Sequence, residues 1–211
     1  GHVFYTEGVY YHDFDHGLYD VYRWRGGDRW RDIAGDPPMY YPTHSVSMAV
    51  GVTGAYPTQV SCLGWVDRHD DGLFRAEQNR HGNEFSNESA LFRMSDGGML
   101  RVNEFRRIGH PGTVAVSMYG TEGSFEEQTG APDQPAKARI WARKDREGCE
   151  DVSDLLACRE RDGFLGVSGV HETSRLPESF RGLPNGHQGS HQFLIDDFVT
   201  ARTGAPCDRD G

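Results

Sequence analysis

The run Tyr40-Tyr41-Pro42-Thr43-His44-Ser45 puts an imidazole at the start of a segment with helical character, after a loop that Pro42 stiffens. The positive end of a helix disfavours a cation, so His44 is expected to stay neutral near pH 7. A neutral imidazole can take a proton from a substrate hydroxyl. It can equally do no more than hydrogen-bond its own loop, and the spacing alone leaves both readings open. Gly186-His187-Gln188-Gly189-Ser190-His191 sets two histidines four apart around a second helix start. Arg106-Arg107-Ile108-Gly109-His110-Pro111-Gly112 brings two guanidiniums into the joint between two hairpins, where they suit carboxylate, phosphate or sugar hydroxyls, or form only a solvated turn. Tyr11-His12-Asp13 closes the first strand. Three of these four groups bring histidine to the end of an element, where sites usually sit.

Other chemistries have weaker footing. There is no G-x-G-x-x-G between a strand and a helix and no G-x-x-x-x-G-K, so no cofactor-binding residue is expected in this chain. His12-Asp13-Phe14-Asp15-His16 packs four ligand-type side chains into five residues, too short a loop to surround one ion, and no metal is expected. The four cysteines show no C-x-x-C and read as free thiols in a reducing compartment. With 22 basic and 32 acidic side chains the net charge is −10, which argues against a nucleic-acid partner. No apolar run is long enough for a membrane span and no leader opens the chain, so a soluble, cytoplasmic protein is expected. Only Lys137 and Lys144 are lysines, so lysine-dependent chemistry has to come from elsewhere.

The elements that position these groups follow from pattern. Val3 to Tyr11 is β-branched and aromatic and reads as a strand. His12 to Pro38 is polar, with Gly26-Gly27 and Pro37-Pro38, and reads as a loop. Thr43 to Val52 reads as a helix capped by Thr43 and ended by Gly54. Gln59 to Val66 is a strand. Glu88–Met94 and Met99–Arg106 form a hairpin around Ser95-Asp96-Gly97-Gly98. Thr113–Tyr119 and Ser124–Gln128 form another around Gly120-Thr121-Glu122-Gly123, and Ala138–Ala142 is a short strand. Ser190 to Thr203 reads as a helix with Phe193, Leu194, Phe198 and Ile195 toward the inside. The fold class is α+β, a largely antiparallel open sheet with helices covering one face.

Five stretches, taken in order, also form a set: Glu7-Gly8-Val9-Tyr10-Tyr11-His12-Asp13, Met39-Tyr40-Tyr41-Pro42-Thr43-His44-Ser45, Asn103-Glu104-Phe105-Arg106-Arg107, Tyr119-Gly120-Thr121-Glu122-Gly123-Ser124, and Gly186-His187-Gln188-Gly189 leading into Asp196-Asp197-Phe198. On these the chain resembles, over nearly its whole length, the C-terminal domain of the Gfo/Idh/MocA family of NAD(P)-dependent sugar oxidoreductases. The resemblance implies a glyceraldehyde-3-phosphate-dehydrogenase-like C-terminal domain. Residues 1–211 would be one substrate-binding and oligomerisation domain, truncated at both ends and inactive alone. NAD or NADP would be bound mainly by an N-terminal Rossmann domain that carries the glycine fingerprint and a Glu-Lys-Pro motif.

His44 matches the family histidine that accepts or donates the proton of the reacting hydroxyl while hydride moves between that carbon and the nicotinamide. Tyr11, His12, Tyr41, Thr43, Arg106, Arg107 and His187 are the candidate contacts to a sugar or polyol. One departure matters: the dehydrogenases commonly carry Asp four residues before that histidine, and here the position is Tyr40. Tyr41-Pro42-Thr43-His44 and the Gly-His-x-Gly helix start look like the branch of NAD-dependent glycoside hydrolases of the α-N-acetylgalactosaminidase type. Those enzymes oxidise, eliminate, add water and reduce, without paired carboxylates. A third reading is a non-catalytic domain that makes homo-oligomers through its sheet. An enzyme should gather His44, Tyr11, His12, Arg106 and His187 in one cleft; an assembly domain should scatter them and expose an apolar sheet face.

Overall fold

The computed structural model describes residues 1–128, 137–143, 148–154, 178 and 190–203. Its first element, β1 (Val3–Tyr11), follows the β-branched and aromatic composition of that stretch. Alternation along the strand sends Thr6, Gly8 and Tyr10 to one face and Tyr5, Glu7, Val9 and Tyr11 to the other.

Residues 12–38, read above as a loop, are instead largely helical. They hold α1 (Leu18–Gly26), α2 (Trp30–Ala34) and single 3-10 turns at Phe14–His16, Gly27–Arg29 and Pro38–Tyr40. The glycines and prolines that argued for a loop fall at the element boundaries. Gly17 and Gly27 adopt φ values of 108° and 51°, which a side chain would resist. Helices this short gain their order from packing rather than propensity. Here Phe14, Leu18, Tyr22 and Ala34 bury against Leu73 and Phe74, and the Phe14 ring meets Tyr19, Tyr22 and Phe74.

The next helix, α3 (Thr43–Thr53), ends as expected on Gly54, whose φ is 69° and whose N–H bonds the Val50 carbonyl at 2.8 Å. Its start differs from expectation. Pro42 holds the cap position and Thr43 is the first helical residue, because the Pro42 carbonyl takes the N–H groups of Ser45 and Val46 at 3.2 and 2.9 Å. Then come β2 (Pro57–Val66), β3 (Phe85–Met94), β4 (Met99–Phe105), β5 (Thr113–Gly120), β6 (Gly123–Gln128), β7 (Lys137–Ala142) and the two-residue β8 (Glu150–Asp151).

The eight strands form one sheet in the order β2-β3-β4-β1-β5-β6-β7-β8. All neighbours are antiparallel except one inner pair, β1 and β4. The sheet is therefore largely antiparallel, as expected. One face packs under α3, where Ala49 and Ala55 bury with Met94, Leu100 and Val102. On the opposite face Leu63, Trp65, Leu91 and Met99 stay exposed, with Leu91 diagonal to Leu63 on one side and to Met99 on the other.

The chain divides into two compact units, Gly1–Asp151 and Val152–Gly211. In the second, α4 (Ser190–Thr203) matches the expected helix, but Phe198 is 72% and Ile195 54% exposed rather than turned inward. The side chains of Phe193 and Leu194 lie outside the described residues. Among the described residues, no helix is long and apolar enough to cross a membrane.

Gly8 is the contact on which α3 rests. A Cβ at that position would overlap the backbone carbonyl of Ser45. Gly8→Ala must push the helix off the strand and is expected to destabilise the protein by about 1–3 kcal/mol, the usual cost of an overpacked core. A lowered midpoint in urea denaturation is the measurement.

Candidate active site

The site is built on the helix-covered face, where β1, β4 and the start of α3 meet. Strand alternation continues past Gly8 and brings Tyr10 and then His12 to this face. The His12 N–H bonds the Phe105 carbonyl at 3.0 Å, which extends the β1–β4 pairing beyond the strand end. The Tyr10 hydroxyl and His12 Nδ1 share a hydrogen bond of 2.9 Å. His44, the second residue of α3, holds its ring 4.8 Å from that of Tyr10, and the Tyr41 ring meets it edge-on at 5.5 Å. The Arg106 guanidinium lies 4.9 Å from the centre of the Tyr10 ring. Tyr10 is thus the common neighbour of His12, His44 and Arg106.

Beneath these rings runs a buried polar network. Glu104 is fully buried, accepting from the Ser45 hydroxyl through Oε1 and from Arg106 Nη2 at 2.9 Å through Oε2. Arg106 Nη2 also reaches the Pro38 carbonyl at 3.3 Å, and Glu88 on β3 accepts from the Met39 N–H at 2.6 Å. The Pro38–Tyr40 turn that leads into Tyr41 and His44 is therefore held from two strands. Burial sets the charge states here. It pushes Glu104 up to about 7 against the opposing pull of Ser45 and Arg106, and it raises Glu88 as well. His12 is lowered from its ordinary value, first by burial and then by the charges of Arg106 and Arg25. A neutral His12 has one donor and one acceptor nitrogen, and Nδ1 is the one it shares with Tyr10.

Not every residue singled out above reaches this place. His12, Tyr41, Thr43, Arg106 and His44 lie on the stretches around it, with Thr43 exposed and its carbonyl taken by the Ser47 hydroxyl. Tyr11 is on the other face of the sheet, stacked on Phe105 at 5.1 Å and edge-on to His110. The neighbouring Tyr10 takes the place expected of it, for no reason beyond strand alternation. Arg107 also turns away. Its guanidinium sits 4.7 Å from the Phe14 ring and binds Asp71 at 2.5 Å and the Tyr19 hydroxyl at 3.0 Å, with Asp67 at 3.5 Å. It ties the 67–84 loop and α1 to the end of β4 and has no path to His44. Asp13, read as a possible ligand, accepts from the N–H groups of Asp15 and Ile108 at 2.7 and 2.9 Å and closes the strand end. His187 lies outside the described residues. The residues missed were Tyr10, Ser45, Glu88 and Glu104. The alternation through Gly8 carried the signal for Tyr10; no local pattern marks Glu104 as a site residue.

Glu104 makes a pH prediction. Its carboxyl titrates near 4.5 when unfolded and near 7 when folded, so folding favours the protonated form. The stability of the wild type relative to Glu104→Gln should fall as pH rises from about 4.5 to about 7 and then level off, a change of up to about 3 kcal/mol. Urea melts of the two proteins at a series of pH values measure it. A flat difference contradicts the shift.

With the geometry in hand, known proteins can be set beside it. No family model matches the chain, and no curated protein matches it either. Solved structures do. Levoglucosan dehydrogenase in its apo form matches with a TM-score of 0.55 and 15% identity, over 99% of this chain and 52% of that one. The same enzyme in complex with NADH and levoglucosan gives 0.54 and 15%, with the same coverage. An oxidoreductase domain protein from Kribbella flavida gives 0.54 and 16%, over 99% of this chain and 53% of that one. The chain spans about half the length of the solved structures it matches. It has the fold of the matched half of these structures, a largely antiparallel α+β sheet domain, as expected.

Proposed function

We propose that this chain is the substrate-binding half of an NAD(P)-dependent sugar or polyol oxidoreductase. The observation that carries the reading is the convergence of His44, Tyr10, His12, Tyr41 and Arg106 at one end of the sheet, in a fold shared with levoglucosan dehydrogenase. Among the described residues no glycine-rich turn leads from a strand into a helix. A nicotinamide held by a separate domain would supply the hydride acceptor. The part of this chain is the other half of the chemistry. His44 takes the proton of the sugar hydroxyl that becomes a carbonyl and returns it in the reverse direction. Tyr41, exposed beside His44, offers a ring edge and a hydroxyl to the sugar, and the Tyr10–His12 pair forms the floor. The net result is dehydrogenation; the hydrolase reading would use the same histidine and the same proton.

In the complete protein, His44→Ala is expected to lower turnover by about 10²–10⁴-fold, the usual worth of a positioned acid–base group, without unfolding the chain. Activity within a few-fold of wild type would remove His44 from the mechanism. The assay is incubation with NAD⁺ and a panel of sugars and nitrophenyl glycosides. Accumulating NADH marks a dehydrogenase; nitrophenol released without it marks a hydrolase.

A second observation supports an assembly role alongside catalysis. Leu63 is 81% and Trp65 50% exposed on the sheet face away from α3, and exposed Leu91 and Met99 lie on the same face of β3 and β4. Single exposed apolar residues are ordinary, but a contiguous group on one face is the mark of an interface. We infer that this face pairs subunits, with a homo-oligomer as the product. Leu63→Glu should shift the sedimentation coefficient of the complete protein to that of a smaller species. An unchanged coefficient would place any subunit contact elsewhere.

A further inference from the structure

We propose that Glu104 is a positioning residue, which by gripping Ser45 and Arg106 together sets the His44 ring against the Tyr10 ring. The inference rests on the reading of His44 as the proton acceptor and adds a residue to that site. Its basis is a closed circuit of contacts. From Glu104 one arm runs through Oε1 to the Ser45 hydroxyl, and Ser45 adjoins His44 in the first turn of α3. The other runs through Oε2 to Arg106 Nη2 at 2.9 Å, and the same guanidinium lies 4.9 Å from the Tyr10 ring centre. The circuit closes where the Tyr10 and His44 rings meet at 4.8 Å.

The ionised carboxylate, the form present above about pH 7, makes this circuit. Both of its oxygens are then acceptors, one toward a hydroxyl and one toward a guanidinium. Glutamine keeps a single acceptor oxygen and would turn an NH₂ group toward one of two donors. Simple reinforcement of the fold does not explain the choice. A fully buried ion pair is weak as a source of stability, and apolar residues of similar volume often do as well or better. Glu104 also lies near a second acid, Glu88, which adds to the cost of its charge. The groups facing it are Ser45 from α3, Glu88 from β3, Arg106 beyond the end of β4 and Tyr10 from β1. Each of them holds or touches an element that carries the site.

The test reads the histidine rings directly. Two-bond ¹H–¹⁵N spectra of the full chain are recorded across the pH range for wild type, Glu104→Gln and Ser45→Ala, and His44→Asn assigns the His44 signals. The expected result is a displaced His44 ring signal with its titration midpoint moved by about 0.5 or more in both variants, since the ring changes its neighbours. The signal of His69, in the 67–84 loop, should hold still. Ser45→Ala removes one arm and only an oxygen, so it keeps the question answerable if Glu104→Gln fails to fold. A folded variant whose His44 signal and midpoint match wild type overturns the proposal. Turnover in the complete protein gives the second reading: Glu104→Gln should lower kcat about tenfold or more with little change in the KM for sugar, as expected of a misplaced group. Displaced His44 signals in a protein without sugar-dependent NADH formation would sustain the positioning role and remove the dehydrogenase reading.

Discussion

The first turn of α3 rests on the bare backbone of β1. Gly8 presents no side chain to the helix, and the Ser45 carbonyl occupies the space a Cβ would need. That approach brings the helix start down onto the sheet, so that a ring on the second helical residue meets one on the strand two residues beyond Gly8. With any larger residue at position 8, Tyr10 and His44 would be separated by a layer of side chains. The apolar packing of Ala49 with Leu100 and Val102 supplies the attraction that holds the helix there, and small residues on both partners permit the distance.

Such closeness has an electrostatic cost. It seals Glu104 from water together with Arg106, and burying a charge is expensive unless each of its lone pairs finds a donor. Ser45 and Arg106 supply those donors from two different elements. The result is a polar knot in which helix, strand and the Pro38–Tyr40 turn must all be in place before any one of them is satisfied. Partial satisfaction would be worse than an apolar core, so the arrangement favours a single geometry over a family of related ones.

The adjacent arginines show how far neighbours in sequence can diverge. Arg106 turns to the α3 side, under Tyr10. Arg107 turns to the aromatic cluster of α1 and the 67–84 loop, where its charge is met by Asp71 and Asp67 and its flat face by Phe14. The side chains are chemically identical, and they part where the chain bends out of β4, with both of their N–H groups held by Asn87 Oδ1. Strand alternation divides Tyr10 from Tyr11. The cluster around Phe14 in turn gives helical order to a stretch whose composition reads as loop, because its aromatic residues lie close enough to bury one another once the 67–84 loop folds over them.

What the residue order determined by itself was the local grammar. The strands from Val3, Gln59, Glu88, Met99 and Thr113, the hairpin at Ser95-Asp96-Gly97-Gly98, the helix from Thr43 to Gly54 and the placement of His44 in its first turn all follow from composition, spacing and turn chemistry acting over a few residues. Alternation puts Tyr10 and Tyr11 on opposite faces, but it names no partner for either, and the motif Tyr11-His12-Asp13 points to the tyrosine that turns away. The tertiary structure alone decided which elements would meet. The parallel pairing of β1 with β4, the descent of α3 onto Gly8, and the union of Glu104 with Ser45 across 59 positions each depend on long-range burial, which no short window of sequence encodes. A carboxylate that appears from its neighbours to be an ordinary strand residue becomes part of the site only when the helix arrives above it.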